Sequence, residues 1–360
     1  MITLKQLQHW RHPAPVQGTC EPRWAGLRED FARLQPLQPT GGAALAVYHH
    51  GQPVLDLWAG WQQPDQPWQA DTLSMSYSTG KGVLATLVHR LVDQQVLDYD
   101  RPVAVWWPEF GQQGKAALTL RHLLSHSAGL YDVRQLTQSA AQLLNWPLML
   151  QLFEQAAPRF APGTSVAYQA LSHGYLLGGL VEKATGQPLA QVLREQLAQP
   201  LGLDGQAFFG VPEARLPQVA IPFERMPPPS QPPAPALPGT APSASPSRPR
   251  SVGERLLQWS GQDLADAEDA LRPRAMGRVN WFGPRALQAC MPSMNGVFTA
   301  RALARHYALL AGGGALDGQR WLSAATFAAL SSVQNRQRDR VMPLPMHWRL
   351  GYHRIMALGA

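Results

Sequence analysis

The sequence predicts an α+β fold, in which an N-terminal β-hairpin is followed by a long run of helices. Three observations carry this. First, Ala43-Ala-Leu-Ala-Val-Tyr-His49 and Val54-Leu-Asp-Leu-Trp58 read as strands, and His50-Gly51-Gln52-Pro53 between them supplies turn chemistry, so the pair reads as a hairpin. Second, Leu84, Leu87, Val88, Leu91 and Val92 recur at three- and four-residue spacing, which makes 79–95 a helix with an apolar face. Third, helical segments follow near 119–125, 139–156, 171–184 and 188–198, punctuated by Gly129, Pro147, Pro162-Gly163, Gly186-Gln187-Pro188 and Pro200.

The flanking segments are less regular. Residues 1–22 read as an irregular or helical lead-in, and Trp24 to Leu34 as a short amphipathic helix. Ten prolines stand between Met226 and Arg250, mixed with Ser, Ala and Gln. Such a stretch cannot sustain a regular hydrogen-bond ladder and buries little, so it reads as a disordered or polyproline-like loop. It either divides two domains or is an insertion within one. Helices resume near 299–312 and 323–332, and no internal repeat is found.

The 360 residues are 45% hydrophobic, enough for a large core in one big domain or two ordinary ones. The formal charge is +7, yet only four of the 31 basic residues are lysine: Lys5, Lys81, Lys115 and Lys183. The arginines are scattered, and their densest cluster, Arg336, Arg338 and Arg340, is interrupted by Asp339. There is no basic stripe with interleaved aromatics, which argues against a nucleic-acid partner. Cys20 and Cys290 form no CxxC pair and no zinc-like cluster with histidine, so neither a metal nor an oxidising compartment is called for. Met1 to Gly18 lacks a continuous apolar run and does not read as a secretory signal, and nothing later reaches membrane-spanning length. The expected location is the cytoplasm.

Ser78-Thr79-Gly80-Lys81 is an S-x-x-K tetrapeptide at the start of the apolar helix. Three residues is almost one helical turn, so the serine hydroxyl and lysine amine face the same way. A serine needs a base to become a nucleophile, and a lysine is one when burial keeps its amine neutral. The helix N-terminus favours the developing negative charge. The tetrapeptide alone equally fits a capping serine with a lysine exposed one turn on. Rival motifs fail at this stretch. A Walker A loop needs glycine where Met75 stands and Ser or Thr where Gly82 stands, and a G-x-S-x-G elbow needs glycine where Ser76 stands. No H-E-x-x-H is present.

The surrounding segments resemble the class C β-lactamases and their esterase relatives, within the serine β-lactamase and penicillin-binding family. Leu73 to Leu87 resembles the family's nucleophile segment, and Asp56-Leu-Trp58-Ala-Gly60 its second strand. Val96 to Val103 with Trp107-Pro-Glu-Phe110 looks like the turn after the nucleophile helix. Leu118 to Leu130 looks like the T-L-R-x-L-L-x-H-x-S-G-L segment, with Ala128 in place of the usual serine. Ala161-Pro-Gly-Thr164 leads to Tyr168 as P-G-x-x-x-x-Y does, and Pro200-Leu-Gly-Leu203 matches P-L-G-[ML]. The match runs over about 25–205 and more loosely over 290–352.

The resemblance implies one β-lactamase/transpeptidase-like domain over 23–360. Its antiparallel sheet, flanked by helices, is built from 23–100 and 290–360, the helical part is 101–289, and the proline-rich 226–250 is an insertion. It implies Ser78 as the acyl-accepting nucleophile, Lys81 as the base, and Tyr168 as a proton relay to the leaving group and for deacylation. A buried structural tyrosine is the alternative for Tyr168. For His126 and His173 the expectation is a structural, hydrogen-bonded role, since lysine fills the base position. The implied substrate is a small-molecule ester or amide, with no metal or organic cofactor.

Two departures qualify this. Tyr168-Gln169-Ala170 lacks the asparagine of the family's Y-x-N, which favours an esterase over a β-lactam or peptidoglycan enzyme. No K-T-G or H-x-G follows residue 300, although Trp348-Arg-Leu-Gly-Tyr-His353 looks like the strand just before that motif. The last sheet strands are therefore expected to be missing. The sequence thus supports a carboxylesterase or, alternatively, a truncated, catalytically weak or inactive relative. A third reading is an interaction protein that presents its proline-rich loop as a polyproline ligand.

Overall fold

The computed structural model describes residues 15–34, 41–63, 66–221, 264–343 and 346–354. The proline-rich segment 226–250 lies outside the described residues. Strands β1 (Gln17–Cys20), β2 (Gly42–His49) and β3 (Gln52–Gln63) form an antiparallel sheet in the order β1-β3-β2, and β4 (Gln66–Pro67) pairs with β3. The predicted hairpin is there, with a tighter turn. His49 pairs with Gln52, so His50 and Gly51 alone make the turn, both with positive φ (49° and 78°). That is the turn geometry whose twist matches the flanking strands. Pro53 sits where the register shifts between Val47 and Tyr48, the kind of irregularity a strand proline needs. Gln17–Cys20 is a strand and not the expected irregular or helical lead-in. Its extended form comes from pairing with the otherwise open edge of β3, a partner some forty residues away.

Alternation along β3 sets the two faces of the sheet. Leu55, Leu57 and Ala59 are buried with Phe31 of α1 (Ala25–Leu34). Asp56, on the opposite face, accepts a 2.7 Å hydrogen bond from Nε of Arg301, which lies in a C-terminal helix. A second antiparallel sheet, ordered β5-β7-β6, joins β5 (Ser74–Met75), β6 (Ala207–Phe209) and β7 (Gly296–Phe298). It thus gathers segments from the N-terminal, middle and C-terminal parts of the chain, and β6 falls within the span expected to be helical. A hairpin of β8 (Ala315–Leu316) and β9 (Gln319–Arg320) completes the strands.

The long helices follow as α2 (Gly80–Asp93), α3 (Trp146–Gln155), α4 (Ser172–Thr185), α5 (Leu264–Leu271), α6 (Ala300–Ala311) and α7 (Ala324–Ser331). The single helix expected over 139–156 is broken. A 3-10 turn over Ala140–Leu144 ends at Asn145, whose side chain caps α3 at Leu148 N–H while Pro147 occupies the first turn. The segment near 188–198 is a short helix, Leu189–Leu193, that widens into a π turn at Arg194–Ala198. Among the described residues no helix is long and apolar enough to cross a membrane.

Helix α2 was expected to show one apolar face, but it is buried nearly all round, from Gly80 to His89 and at Leu91. It forms part of the main core cluster with Leu176, Leu177 and Leu180 of α4 and with Leu330 of α7. A helix enclosed on every side must satisfy its polar side chains internally. Thr86 Oγ1 lies 2.7 Å from His306 Nε2 and 2.6 Å from the Tyr352 hydroxyl, while His89 spans from the Tyr99 hydroxyl (2.8 Å) to the Leu350 carbonyl (3.0 Å).

These contacts also decide the C-terminal segment. Among the described residues no strand from 290–354 hydrogen-bonds to β1–β4. The expected strand 348–353 is a strap with a single bridge, Trp348 to His353, laid across α2. Gly351 N–H bonds to Leu124 O at 2.8 Å, and its left-handed φ of 77° lets the strap pass close to Ala85, where a side chain would collide. Leu84 of α2 is fully buried. Leu84→Ala is expected to cost about 2–5 kcal/mol in urea unfolding. A loss below about 1 kcal/mol would show that α2 is not the packing centre it looks to be.

Candidate active site

The serine is presented by a turn hung from the second sheet. Ser76 N–H and Oγ both bond to Gly296 O, at 2.8 and 3.0 Å, and Tyr77 bridges to Asn295. Tyr77 then adopts φ +48°, an unusual conformation for a bulky residue, and this swings the chain into α2. Ser78 is left exposed at the first turn, while Lys81 is only 5% exposed.

Lys81 Nζ lies 3.0 Å from Ser78 Oγ and 2.9 Å from the Ser293 carbonyl. Burial lowers its pKa to about 7. Near neutral pH much of Lys81 is therefore the free amine. With one N–H held by Ser293 O, its lone pair is available to the Ser78 hydroxyl.

Tyr168 Oη sits 3.2 Å from Ser78 Oγ, and its ring lies 5.1 Å from Lys81 Nζ. Burial raises its pKa, against the hydrogen bond with Ser78, so the phenol keeps its proton at neutral pH and is a donor rather than a base. The structure therefore brings all three sequence-derived residues together around one oxygen.

The two histidines differ. His126 Nδ1 accepts the Gln169 N–H at 3.2 Å, which leaves the proton on Nε2, and its ring packs edge-on against Tyr168 at 5.1 Å. Burial and then the neighbouring His173 hold its pKa well below 6.5. His173 is neutral too, with its pKa lowered to about 3 by burial and then by Lys81. Neither of its ring nitrogens has a hydrogen-bond partner among the described residues, so the expected hydrogen-bonded role is not what is seen there.

Other parts of the site carry no sequence signal of their own. Ser293 acts twice, its carbonyl on Lys81 and its hydroxyl accepting the Gly174 N–H at 2.7 Å. Asn295 holds that loop in shape through Ala286 O (2.7 Å) and Ala289 O (2.6 Å). Both lie more than 200 residues from Ser78, in a stretch with neither helical nor strand periodicity. Ser293 and Asn295, two polar residues set among the buried Met291, Met294 and Val297, are the one local hint.

Ser78 opens into a cavity of about 480 Å³. Lys81, His126, Tyr168 and Tyr307 line it together with Met342, Met346 and the strap residues Trp348, Tyr352 and His353. No group of acidic, histidine or cysteine residues able to hold a metal occurs among the described residues.

An exposed serine against a buried neutral lysine, at a cavity lined by helix, loop and strap residues, has the form of a serine hydrolase. The chain belongs to the β-lactamase family, whose model matches residues 31–357. It is 39% identical over 352 residues to "Esterase/beta-lactamase LipL" of Mycobacterium tuberculosis, covering 94% of this chain and 74% of that one. It is 31% identical to "Esterase EstB" of Burkholderia gladioli over 65% of this chain and 63% of the relative. Among solved structures it resembles a penicillin-binding protein homolog from Caulobacter crescentus (TM-score 0.74, 31% identity, 94% of this chain and 83% of the other). It also resembles a family VIII carboxylesterase (TM-score 0.75, 29% identity, 94% and 82%). It is a serine hydrolase of the β-lactamase type.

The Lys81 amine gives two expectations. If its neutral form is the base, kcat/KM rises with pH and levels off above about 7, and a flat profile between about pH 5 and 9 would contradict this. The second concerns stability. The folded pKa of about 7 lies below the roughly 10.4 of an unfolded lysine, so between those values the unfolded chain binds more protons and stability rises with pH. At pH 7 the buried amine therefore costs stability. Lys81→Met should abolish turnover yet melt at the same or a higher temperature at pH 7, with the gain shrinking towards pH 10. A lower melting temperature at pH 7 would show that Lys81 supports the fold.

Proposed function

We infer that the protein is a carboxylesterase working through an acyl-enzyme on Ser78. The observation that carries this is the meeting of Lys81 Nζ and Tyr168 Oη on Ser78 Oγ at 3.0 and 3.2 Å, with the lysine buried and the serine exposed. Lys81 takes the Ser78 proton as Oγ attacks the ester carbonyl. The tetrahedral oxyanion collapses, the C–O bond to the alcohol breaks, and the leaving oxygen takes the Tyr168 proton. The proton on Lys81 passes to the Tyr168 phenolate, and a water molecule then releases the acid from Ser78 by the same exchanges in reverse.

The cavity lining supports a neutral ester over a β-lactam or a peptide carboxylate. Lys81 is the one lysine lining it and no arginine does so among the described residues, so a substrate carboxylate would meet no fixed cation. The aromatic and methionine side chains instead offer apolar surface to an acyl or alkyl group. The esterase names of LipL and EstB, and of the family VIII carboxylesterase, point the same way. We further infer a cytoplasmic enzyme with no nucleic-acid partner, on the free thiols of Cys20 and Cys290 and the scattered arginines.

A catalytically weak relative is the second reading, since residues 301–360 hold no K-T-G or H-x-G. Hydrolysis of p-nitrophenyl butyrate and of nitrocefin separates the readings. The ester should turn over much faster than the β-lactam. Ser78→Ala should lower the ester rate on the order of a thousandfold or more, and a fluorophosphonate adduct should map to Ser78. Folded protein that neither labels at Ser78 nor cleaves the ester is the weak relative.

A further inference from the structure

Tyr168 stands in a loop with neither helix nor strand around it, yet its hydroxyl must stay on one oxygen. A misplacement of about 1 Å at such a group costs on the order of a hundredfold in rate. What holds the loop is a carboxylate from a distant part of the chain. Asp339 is 1% exposed and bridges to Val166. Its Oδ1 accepts the backbone N–H groups of Tyr168 (3.1 Å), Val341 (2.8 Å) and Met342 (2.9 Å). Its Oδ2 accepts the indole N–H of Trp348 at 2.7 Å. The Trp348 ring in turn stacks on the Tyr168 ring, with planes 10° apart and centroids 5.5 Å apart. His126 closes the edge of both rings, at 5.1 and 4.2 Å.

We propose that Asp339 and Trp348 are positioning residues for Tyr168, the carboxylate fixing the tyrosine backbone and the tryptophan ring in one frame so that the phenol stays on Ser78. Neither touches Ser78. The inference rests on reading Tyr168 as the proton-transfer partner of Ser78. The geometry separates the two oxygens of Asp339. In Asp339→Asn the retained oxygen can still serve the three backbone N–H groups, and the amide then faces the indole with donor against donor. That change breaks the link to Trp348 and spares the link to the Tyr168 backbone. Trp348→Phe breaks the same link from the other side and keeps a ring to stack.

The test uses the full chain, with p-nitrophenyl butyrate turnover and ¹⁹F NMR after 3-fluorotyrosine labelling. The Tyr168 resonance is assigned among the eight tyrosines by its loss in Tyr168→Phe. Asp339→Asn and Trp348→Phe should each lower kcat about tenfold, and the double variant should lose little more than either alone. Trp348→Leu, which also removes the stack, should lose more. In a Tyr168→Phe background none of these changes should reduce turnover further. The Tyr168 resonance should shift in Trp348→Leu and in Asp339→Asn. If Asp339→Asn does not fold, the two Trp348 variants carry the measurement. A Tyr168 resonance unmoved in Trp348→Leu, or kcat losses that persist undiminished in the Tyr168→Phe background, overturns the proposal. A shifted resonance alongside wild-type turnover in Tyr168→Phe leaves the clamp standing and removes the proton-transfer role of Tyr168 instead.

Discussion

A lysine amine buried beside a serine is the constraint on which the rest of this structure depends. Lys81 sits in a helix enclosed by core nearly all round, and no neighbouring carboxylate contributes to its titration. An ammonium there would carry an uncompensated charge in a poorly solvated place, so the amine gives up its proton far more readily than in water. The Ser293 carbonyl takes one N–H and the Ser78 hydroxyl takes up the remaining side. The activation of the serine is thus a consequence of packing. Any element that keeps water from α2 helps hold the Lys81 amine neutral, however far it lies from Ser78.

That enclosure is largely apolar core, fastened at a few points by polar contacts. The strap 346–354 lies on α2 through the Tyr352 hydroxyl on Gly82 O (2.9 Å) and the His89 ring on Leu350 O (3.0 Å). Tyr99 and His306 complete the bonding of His89 and Thr86. Desolvation holds both histidines neutral, with pKa values lowered to about 4; His89 is engaged at both ring nitrogens, and His306 through Nε2. The strap then supplies Trp348, Tyr352 and His353 to the cavity wall. One segment therefore covers part of α2 and shapes the cavity beside it.

Much of the local structure was legible in the residues. The hairpin, the helix after Ser78, and the helices around 172–185, 300–311 and 324–331 follow from periodicity and punctuation, because those signals are short-range. The S-x-x-K spacing places hydroxyl and amine on one side of a turn whatever surrounds them. Tyr168 was reachable only through its resemblance to a family pattern, since a tyrosine in an irregular loop has no period to betray it. Gln17–Cys20 and the strap misled for a common reason. Each takes its form from a partner far along the chain, β3 in one case and α2 in the other. Asp339 and Ser293 were invisible for the same reason, as their meaning lies in atoms 171 and 212 residues away.

By itself the sequence determined that a serine and a lysine share one helical turn, that the helix is apolar enough to be buried, and that the chain is of β-lactamase type. Only the tertiary structure decided what those groups are chemically. Burial sets whether Lys81 is a base, the Asp339–Trp348 frame sets where the Tyr168 proton points, and the hydrogen bond to Nδ1 sets which nitrogen of His126 carries hydrogen. The physical reason is that spacing along a chain fixes direction over a few residues. Protonation state and sub-ångström placement depend instead on the whole dielectric and hydrogen-bonding surroundings, and those are assembled from every part of the chain.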